Sequence, residues 1–294
     1  MAFLWFKIII EQNISIKIEN NMKMNNSLIP LILFMNTSTA SACINTYAFD
    51  LGREGLSKEY ALKEMKERSK KLKTHKQLND YGVLQIYAHE YDKAIQTFKS
   101  IEKSHPNLAK TAANLGTAYE LKGDSLKAKY WIAQGMKRDP NIHEGSEWIH
   151  IKILDAQLNQ QKDKAWVQKN DVLGLDFGSD VAPKAKVKTI KFGHQSYTLQ
   201  QILKHSEIQM DQRMRFVHKD PITAQILFNM GNIEAYLMQS DLETITSLYN
   251  VAEMVGYSDP SFLSKRVNYL DTSKWYNFKR NIVFMLKRIR NLIL

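Results

Sequence analysis

The stretches GVLQIYAHEYDKAIQTFKSIEKSHP at residues 82–106 and GTAYELKGDSLKAKYWIAQGMKRDP at residues 116–140 decide the fold, because they repeat the same small and turn-forming positions. The paired positions lie 34 residues apart and are Gly82 and Gly116, Ala94 and Ala128, and Pro106 and Pro140. Three pairs of positions that share one spacing are typical of a structural repeat. A period of about 34 residues indicates pairs of antiparallel helices.

Each repeat predicts two helices. Apolar residues recur at three- and four-residue steps on both sides of a polar interruption, which is His89 and Glu90 in the first repeat and residues 122–124 in the second. This spacing is typical of helices with one buried face. Pro106 and Pro140 lack the N–H that another helical turn would use, so we expect each second helix to end before its proline.

This pattern resembles the tetratricopeptide repeat (TPR) family. In the second repeat the matching residues are Leu115, Gly116, Tyr119, Ala128 and Pro140. In the first repeat they are Gly82, Ala94, Phe98 and Pro106, while Gln85 stands where the family prefers an aromatic residue. A third first helix is predicted from about residue 143 to 158, with its inward positions at Trp148, Ile149, Ile153 and Leu154. The resemblance covers roughly residues 75–160 and implies an all-α fold, an α-solenoid of antiparallel helix pairs, without implying one function.

Residues 22–42 have the ordered regions of a secretory signal peptide. Lys23 precedes an apolar run at residues 28–35, and small residues follow at 40–42. The run is much shorter than the roughly 20 residues that span a bilayer. We therefore predict a targeting segment at residues 1–42 and an exported protein that is periplasmic or membrane-associated. The alternative is that the run is a short buried element.

The upstream residues 1–21 include a second apolar stretch, MAFLWFKIII. We interpret them as an extension from a misplaced start or as a weak membrane-associating segment.

Cys43 is the single cysteine and directly follows the small residues. A lone thiol forms no internal disulfide, so the fold must depend on its helical core. The position suggests lipidation after cleavage, but lipoprotein signals favour Leu where this chain has Ala40. An unmodified thiol, free or buried, is the alternative.

The composition indicates an ordered, basic protein. The chain has 294 residues, 44% of them hydrophobic and 24% charged, with a net charge of +11. Such a surplus favours an anionic membrane surface or an acidic partner. We expect no nucleic acid partner, because the chain is predicted to be exported and contains no recognisable nucleic-acid module.

Local sequence signals, such as helix caps and turn residues, divide the chain into further segments. The predicted segments are a TPR-like domain at 43–165, a linker with a small β-hairpin at 166–198, a second helical region at 199–273 and a basic amphipathic helix at 274–294. Ser57 is predicted to cap a helix with Leu62, Met65 and Leu72 inward. Asp220-Pro221 predicts another helix start, residues 240–243 a capping box, and Gly256 a helix end.

The C-terminal helix has two interpretations. Its apolar residues gather on one side and are Phe278, Ile282, Met285, Leu286, Ile289, Leu292 and Ile293. A repeat array needs a terminal cap over its last apolar face, and we expect the stripe to pack on the body in this role. The alternative is that the basic helix lies in an anionic membrane surface.

The resemblance implies that the concave face of the first helices binds a peptide or a partner protein. Family members that grip a terminal carboxylate use Lys, Arg and Asn at set places, and only Asn114 coincides with that pattern. We therefore predict a groove of mixed polarity rather than a carboxylate clamp. Its candidate contacts, each with a merely solvated role as its alternative, are Lys76, Asn79, Lys110, Asn114, Thr117, Glu120, Glu144 and Glu147.

The sequence shows no arrangement of nucleophile, base and orienting residue, so we predict no enzymatic activity, metal or cofactor. His143, Glu147 and His150 are spaced to converge on a cation if one helix carries them, but a solvated or capping role is more ordinary. The predicted function is a noncatalytic TPR-type protein–protein interaction module at the bacterial cell envelope. The alternatives are an envelope-associated metal-dependent hydrolase and a membrane-docking protein.

Overall fold

The computed structural model describes residues 44–48 and 57–293, and this part of the chain is mostly helical. The α-helices are α1 Lys58–Arg68, α2 His75–Tyr87, α3 Tyr91–Ser104, α4 Ala109–Leu121, α5 Ser125–Arg138, α6 Glu147–Lys162, α7 Trp166–Lys169, α8 Leu199–Arg213, α9 Pro221–Leu237, α10 Leu242–Val255, α11 Pro260–Thr272 and α12 Lys274–Ile293. Short 3₁₀ helices occupy Ser69–Lys71 and Ile142–Gly145. The predicted all-α fold is confirmed.

The two repeats form the helix pairs α2–α3 and α4–α5, and their glycines lie where the helices touch. A Cβ atom added to Gly82 would lie 2.7 Å from two ring atoms of Phe98, and one added to Gly116 would lie 2.7 Å from Ile132. Only a residue without a side chain permits this approach. The second helices end before Pro106 and Pro140, as predicted.

Helix α1 packs mainly against α2. Ser57 caps it as predicted, since its side chain accepts a hydrogen bond from the N–H of Tyr60 at 3.1 Å. Met65 is buried and Leu72 is half-buried, but Leu62 is 43% exposed. The inward placement of Leu62 is therefore wrong, because a helix with one main neighbour buries only a narrow stripe.

Helix α6 begins later than predicted. It starts at Glu147, and the backbone at His143 and Glu144 has φ values of 51° and 54° inside the preceding 3₁₀ turn. The predicted inward residues Trp148, Ile149, Ile153 and Leu154 are all buried.

Residues 166–198 contain the predicted hairpin and a buried loop. Strands β1 Thr189–Phe192 and β2 Gln195–Thr198 pair in antiparallel register, with Ile190 opposite Tyr197. The Tyr197 ring stacks on Trp148 at a centroid distance of 4.5 Å. The loop residues Val172, Leu173, Leu175 and Phe177 are buried in the same cluster as Trp148. The segment thus contributes to the core as well as joining the two helical regions.

Helices α9 and α10 pack as a third close pair. A Cβ atom added to Gly231 would lie 2.9 Å from the Tyr249 ring, as at the repeat glycines. Asp220 caps α9 ahead of Pro221, and Gly256 ends α10 in the left-handed region with φ 111°, as predicted. The cap of α10 is Asp241, which accepts from Thr244 N–H, so the predicted box at 240–243 is wrong by one residue.

Helix α12 is attached through its first turns. Tyr276 is buried, and its hydroxyl donates to the carbonyl of Ala235 at 3.1 Å. The described part of the predicted stripe, including Phe278 and Met285, is exposed. It therefore does not pack on the body as the cap interpretation expects. Among the described residues, no helix is both long and apolar enough to cross a membrane.

Candidate peptide groove

The first helices α2 and α4 line a groove with polar side chains. Asn79 and Asp80 on α2, and Thr111 and Asn114 on α4, are fully buried. These side chains hydrogen-bond one another: Thr111 Oγ1 donates to Asn79 Oδ1 at 3.0 Å, and Asn114 Nδ2 reaches the same oxygen at 3.2 Å. The polar residues stay buried because the chain's own residues 44–48 lie on them. The groove is therefore occupied by its own chain.

The Asn114 side chain hydrogen-bonds both main-chain polar groups of one residue in this segment, Asn45. The N–H of Asn45 donates to Asn114 Oδ1 at 2.8 Å, and Asn114 Nδ2 donates to the Asn45 carbonyl at 2.8 Å. Asn79 Nδ2 donates to the same carbonyl at 2.9 Å. Two amide side chains thus replace the partners that an adjacent strand would supply.

Asp80 and Lys110 hold the following residues. The Asp80 carboxylate accepts from the N–H groups of Tyr47 at 2.7 Å and Ala48 at 2.5 Å. Lys110 Nζ donates to the Thr46 carbonyl at 3.0 Å and lies 4.8 Å from the centroid of the Tyr47 ring. Hydrogen bonds to charged groups are stronger than neutral ones, so these contacts anchor this end of the segment.

Ile44 enters the other end of the groove. Its N–H donates to Gln212 Oε1 at 3.1 Å, which brings in helix α8 from the second helical region. The buried side chain lines a cavity whose apolar walls include Leu121, Ile153 and Phe216. An apolar side chain suits this position, because it loses no hydrogen bonds on entering.

A buried network of charges lies below the groove. His150 on α6 meets Glu120 through Nε2 at 2.7 Å and Glu147 through Nδ1 at 3.1 Å. Burial alone would lower the pKa of His150, but the two carboxylates outweigh it and raise the pKa to about 9. Burial would raise the pKa of Glu147, but His143 and His150 lower it to about 2. Glu120 also has a lowered pKa, because Arg213 and His150 outweigh its burial.

Arg213 extends this network to the second helical region. Its guanidinium donates to Glu120 at 2.6 Å and to the carboxylate of Asp220 at 3.1 Å. Gln157 Nε2 donates to Glu120 at 2.7 Å. Because opposite charges face each other within a buried region, the network holds α4, α6 and α8 in one arrangement.

The three residues considered for a metal site belong to this network. Glu147 bridges His143 and His150 with one carboxylate oxygen to each ring. His143 lies in the 3₁₀ turn rather than on α6, so the predicted placement of all three residues on one helix is wrong. Within the described residues, no group of three or more His, Cys, Asp and Glu side chains is arranged to hold a metal ion.

The remaining predicted contact residues lie in different surroundings. Lys76 is exposed, and Glu144 pairs with Lys204 at 2.7 Å on the surface. Thr117 lines the cavity beside Ile44 and donates to the Ala113 carbonyl at 3.2 Å. The structure thus brings Asn79, Lys110 and Asn114 onto the bound segment, with Thr117 and Glu120 beside it. Cys43, the candidate lipidation site, lies outside the described residues.

Sequence reasoning missed Asp80, Thr111 and Gln212. Asp80 directly follows Asn79 on a first helix, so its position next to a predicted contact was a usable signal. Gln212 lies in a different helical region, and its role depends on how that region packs. No local sequence signal indicates that residues 44–48 fill the groove.

No protein-family model matches the chain, and no curated protein matches it.

Proposed function

We propose that this protein is a noncatalytic interaction module that binds an extended peptide segment of a partner protein in the groove of α2 and α4. The observation that supports this proposal is the seating of residues 44–48, whose main chain is held by Asn79, Asp80, Lys110 and Asn114. The groove already has the donors and acceptors that an extended peptide requires.

The contacts also suggest what kind of peptide the groove binds. The side chains of Asn114, Asn79 and Asp80 form their hydrogen bonds to the segment with main-chain N–H and carbonyl groups, which every non-proline residue offers. Selectivity then comes from the two ends, where Ile44 lines a mainly apolar cavity and Tyr47 lies beside Lys110. We therefore expect ligands with an apolar residue three positions before an aromatic one, and wide tolerance between them.

The same contacts suggest that residues 44–48 compete with a partner. Because residues 44–48 are tethered to the groove, their effective local concentration there is about millimolar. An external peptide must displace this segment before it can bind. The signal-peptide pattern of residues 22–42 supports the further proposal that this exchange takes place at the bacterial cell envelope.

A peptide-binding experiment on the full chain tests the groove. In the variant Asn45→Pro/Tyr47→Pro the segment loses two N–H donors, so we expect it to leave the groove. A synthetic peptide of residues 44–49 should then bind this variant about tenfold or more tightly than it binds the unchanged chain. Isothermal titration calorimetry measures both affinities.

Adding Asn114→Ala to the proline variant should weaken peptide binding by about tenfold, because two hydrogen bonds to one residue are lost. The matched control is Asn250→Ala, which removes an exposed amide on α10. The peptide carrying Asn45→Pro should bind none of these proteins. The proposal fails if Asn114→Ala leaves peptide binding unchanged while circular dichroism shows intact helix.

A further inference from the structure

Helix α12 presents an apolar stripe that the body of the protein does not cover. The exposed fractions along it are Trp275 62%, Phe278 57%, Ile282 38%, Met285 56% and Leu286 57%. At about 100° per residue these positions fall within roughly 100° of the helix circumference. Scattered exposed apolar residues are ordinary, but an aligned row of five marks an interaction surface.

The opposite side of the helix is attached to the body. Tyr276 is buried, and Arg280 and Val283 are half-buried on the same side. Asn277 Nδ2 also donates to the carbonyls of Leu270 at 3.2 Å and Asp271 at 3.1 Å. A partner can therefore approach only from the stripe side. A partner with a flat surface can contact the helix from this side, whereas a partner whose groove surrounds a helix cannot.

The charges of this segment indicate the chemistry of the occupant. Residues 274–294 contain six Lys and Arg residues and no Asp or Glu. Lys279 Nζ lies 4.7 Å from the centroid of the Trp275 ring, so a basic group stands directly at the edge of the stripe. A second copy of this helix would bring the same positive charge to the contact and would be repelled.

We infer that α12 docks on an anionic lipid bilayer, with the stripe of Trp275, Phe278, Ile282, Met285 and Leu286 in the acyl–headgroup boundary and the exposed Lys274 and Lys279, which flank it, on the lipid phosphates. An in-plane helix needs one apolar face and flanking positive charge, and both are present here. Trp275 suits this boundary, because its ring is apolar and its N–H remains able to reach water. The surface is independent of the peptide groove.

Cosedimentation of the full chain with lipid vesicles tests this inference. Vesicles containing phosphatidylserine should bind the unchanged protein about tenfold or more tightly than vesicles of phosphatidylcholine alone. The variant Phe278→Glu/Met285→Glu should lose about tenfold or more of this binding, since two stripe residues become charged. Both side chains are exposed, so circular dichroism and the midpoint of thermal unfolding should not change.

The matched control is Leu126→Glu/Tyr130→Glu on α5, whose residues are 69% and 58% exposed. It removes two exposed apolar side chains and adds two negative charges away from α12, so net charge changes equally. All three proteins keep residues 1–42, so any membrane affinity of that segment is common to them. Equal loss of binding in both variants would show attraction by net charge alone and overturn the inference. Protein that stays in the supernatant with anionic vesicles also overturns it and points to an acidic protein as the occupant.

Discussion

At the scale of single residues, the groove and the ion network beneath it contain buried polar side chains, whereas most polar side chains lie on a protein's surface. Asn114 contacts both main-chain polar groups of Asn45, and His150 contacts a carboxylate through each ring nitrogen. Burying such groups is costly unless each finds a partner. Their burial therefore depends on partners from other parts of the chain, Asn45 in the segment 44–48 and Glu120 on α4, and the loss of one partner leaves the other unsatisfied.

His150 gives a pH dependence whose sign follows from its raised pKa. An unperturbed histidine has a pKa of about 6.5, and in the folded protein the two carboxylates raise the pKa of His150 to about 9. The folded state binds this proton more tightly than the unfolded state does. The resulting stabilisation is complete below about pH 6.5 and is lost as the pH rises through about 9.

We expect the thermal unfolding midpoint to fall between about pH 7 and pH 10, as Glu120 and Glu147 lose the positive charge between them. The variant His150→Gln should be destabilised at neutral pH by roughly 1–3 kcal/mol and should show a smaller fall. Differential scanning fluorimetry across this range measures both effects. An identical fall in the variant and the unchanged protein would assign the pH dependence to other groups.

At the scale of elements, Arg266 joins helix α11 to the loop of residues 170–188. Its buried guanidinium donates to the carbonyl of Asp180 at 2.7 Å and to Asn232 Oδ1 on α9 at 2.6 Å. It also lies 4.5 Å from the centroid of the Phe262 ring. One side chain thus adds a connection between the body and a loop whose own backbone hydrogen bonds include Lys184 N–H to the Phe177 carbonyl.

Arg266→Met should destabilise the protein by about 2–4 kcal/mol, because it leaves buried oxygens without their charged donor. Released from α11, the loop should be cut faster by trypsin at its exposed lysines, which include Lys184 and Lys188. Chemical unfolding and limited proteolysis measure the two effects. Lys265→Met is the control, since it removes a neighbouring exposed trypsin site. Equal cleavage of both variants would contradict this role.

At the scale of the whole molecule, α6 belongs to both hydrophobic cores. Ile151 and Leu154 pack with the repeat helices, whereas Trp148 and Ile153 pack with the hairpin and the second helical region. Glu120 and Arg213 add a buried ion pair between the same two parts. Because α6 contributes side chains to both cores, the unfolding of either part would expose apolar residues in the core of the other.

Heat unfolding should therefore be a single cooperative transition of the full chain. In differential scanning calorimetry we expect the calorimetric enthalpy to equal the van't Hoff enthalpy within about 10–20%. Two resolved transitions would show that the repeat helices and the second helical region unfold separately.

The sequence by itself determined the local features of this protein. The spacing of Gly82 and Gly116, the prolines after each pair, the Asp220 cap and the hairpin turn at 193–194 were all predictable, because each depends on residues close in the chain. The TPR resemblance and export stay predictions, and lipidation of Cys43 stays an untested alternative to an unmodified thiol.

Only the tertiary structure decided which predicted residues act together. Asn45 and Asn114 lie 69 positions apart, and Glu120 and Arg213 lie 93 positions apart, so no local pattern links them. The spacing of His143, Glu147 and His150 is local, but Glu120, which pairs with His150, lies 30 positions away and made them part of a buried ion network. Packing likewise decided that the described part of the α12 stripe stayed exposed. Periodicity predicts which face of a helix is apolar, but its neighbours decide whether that face is covered.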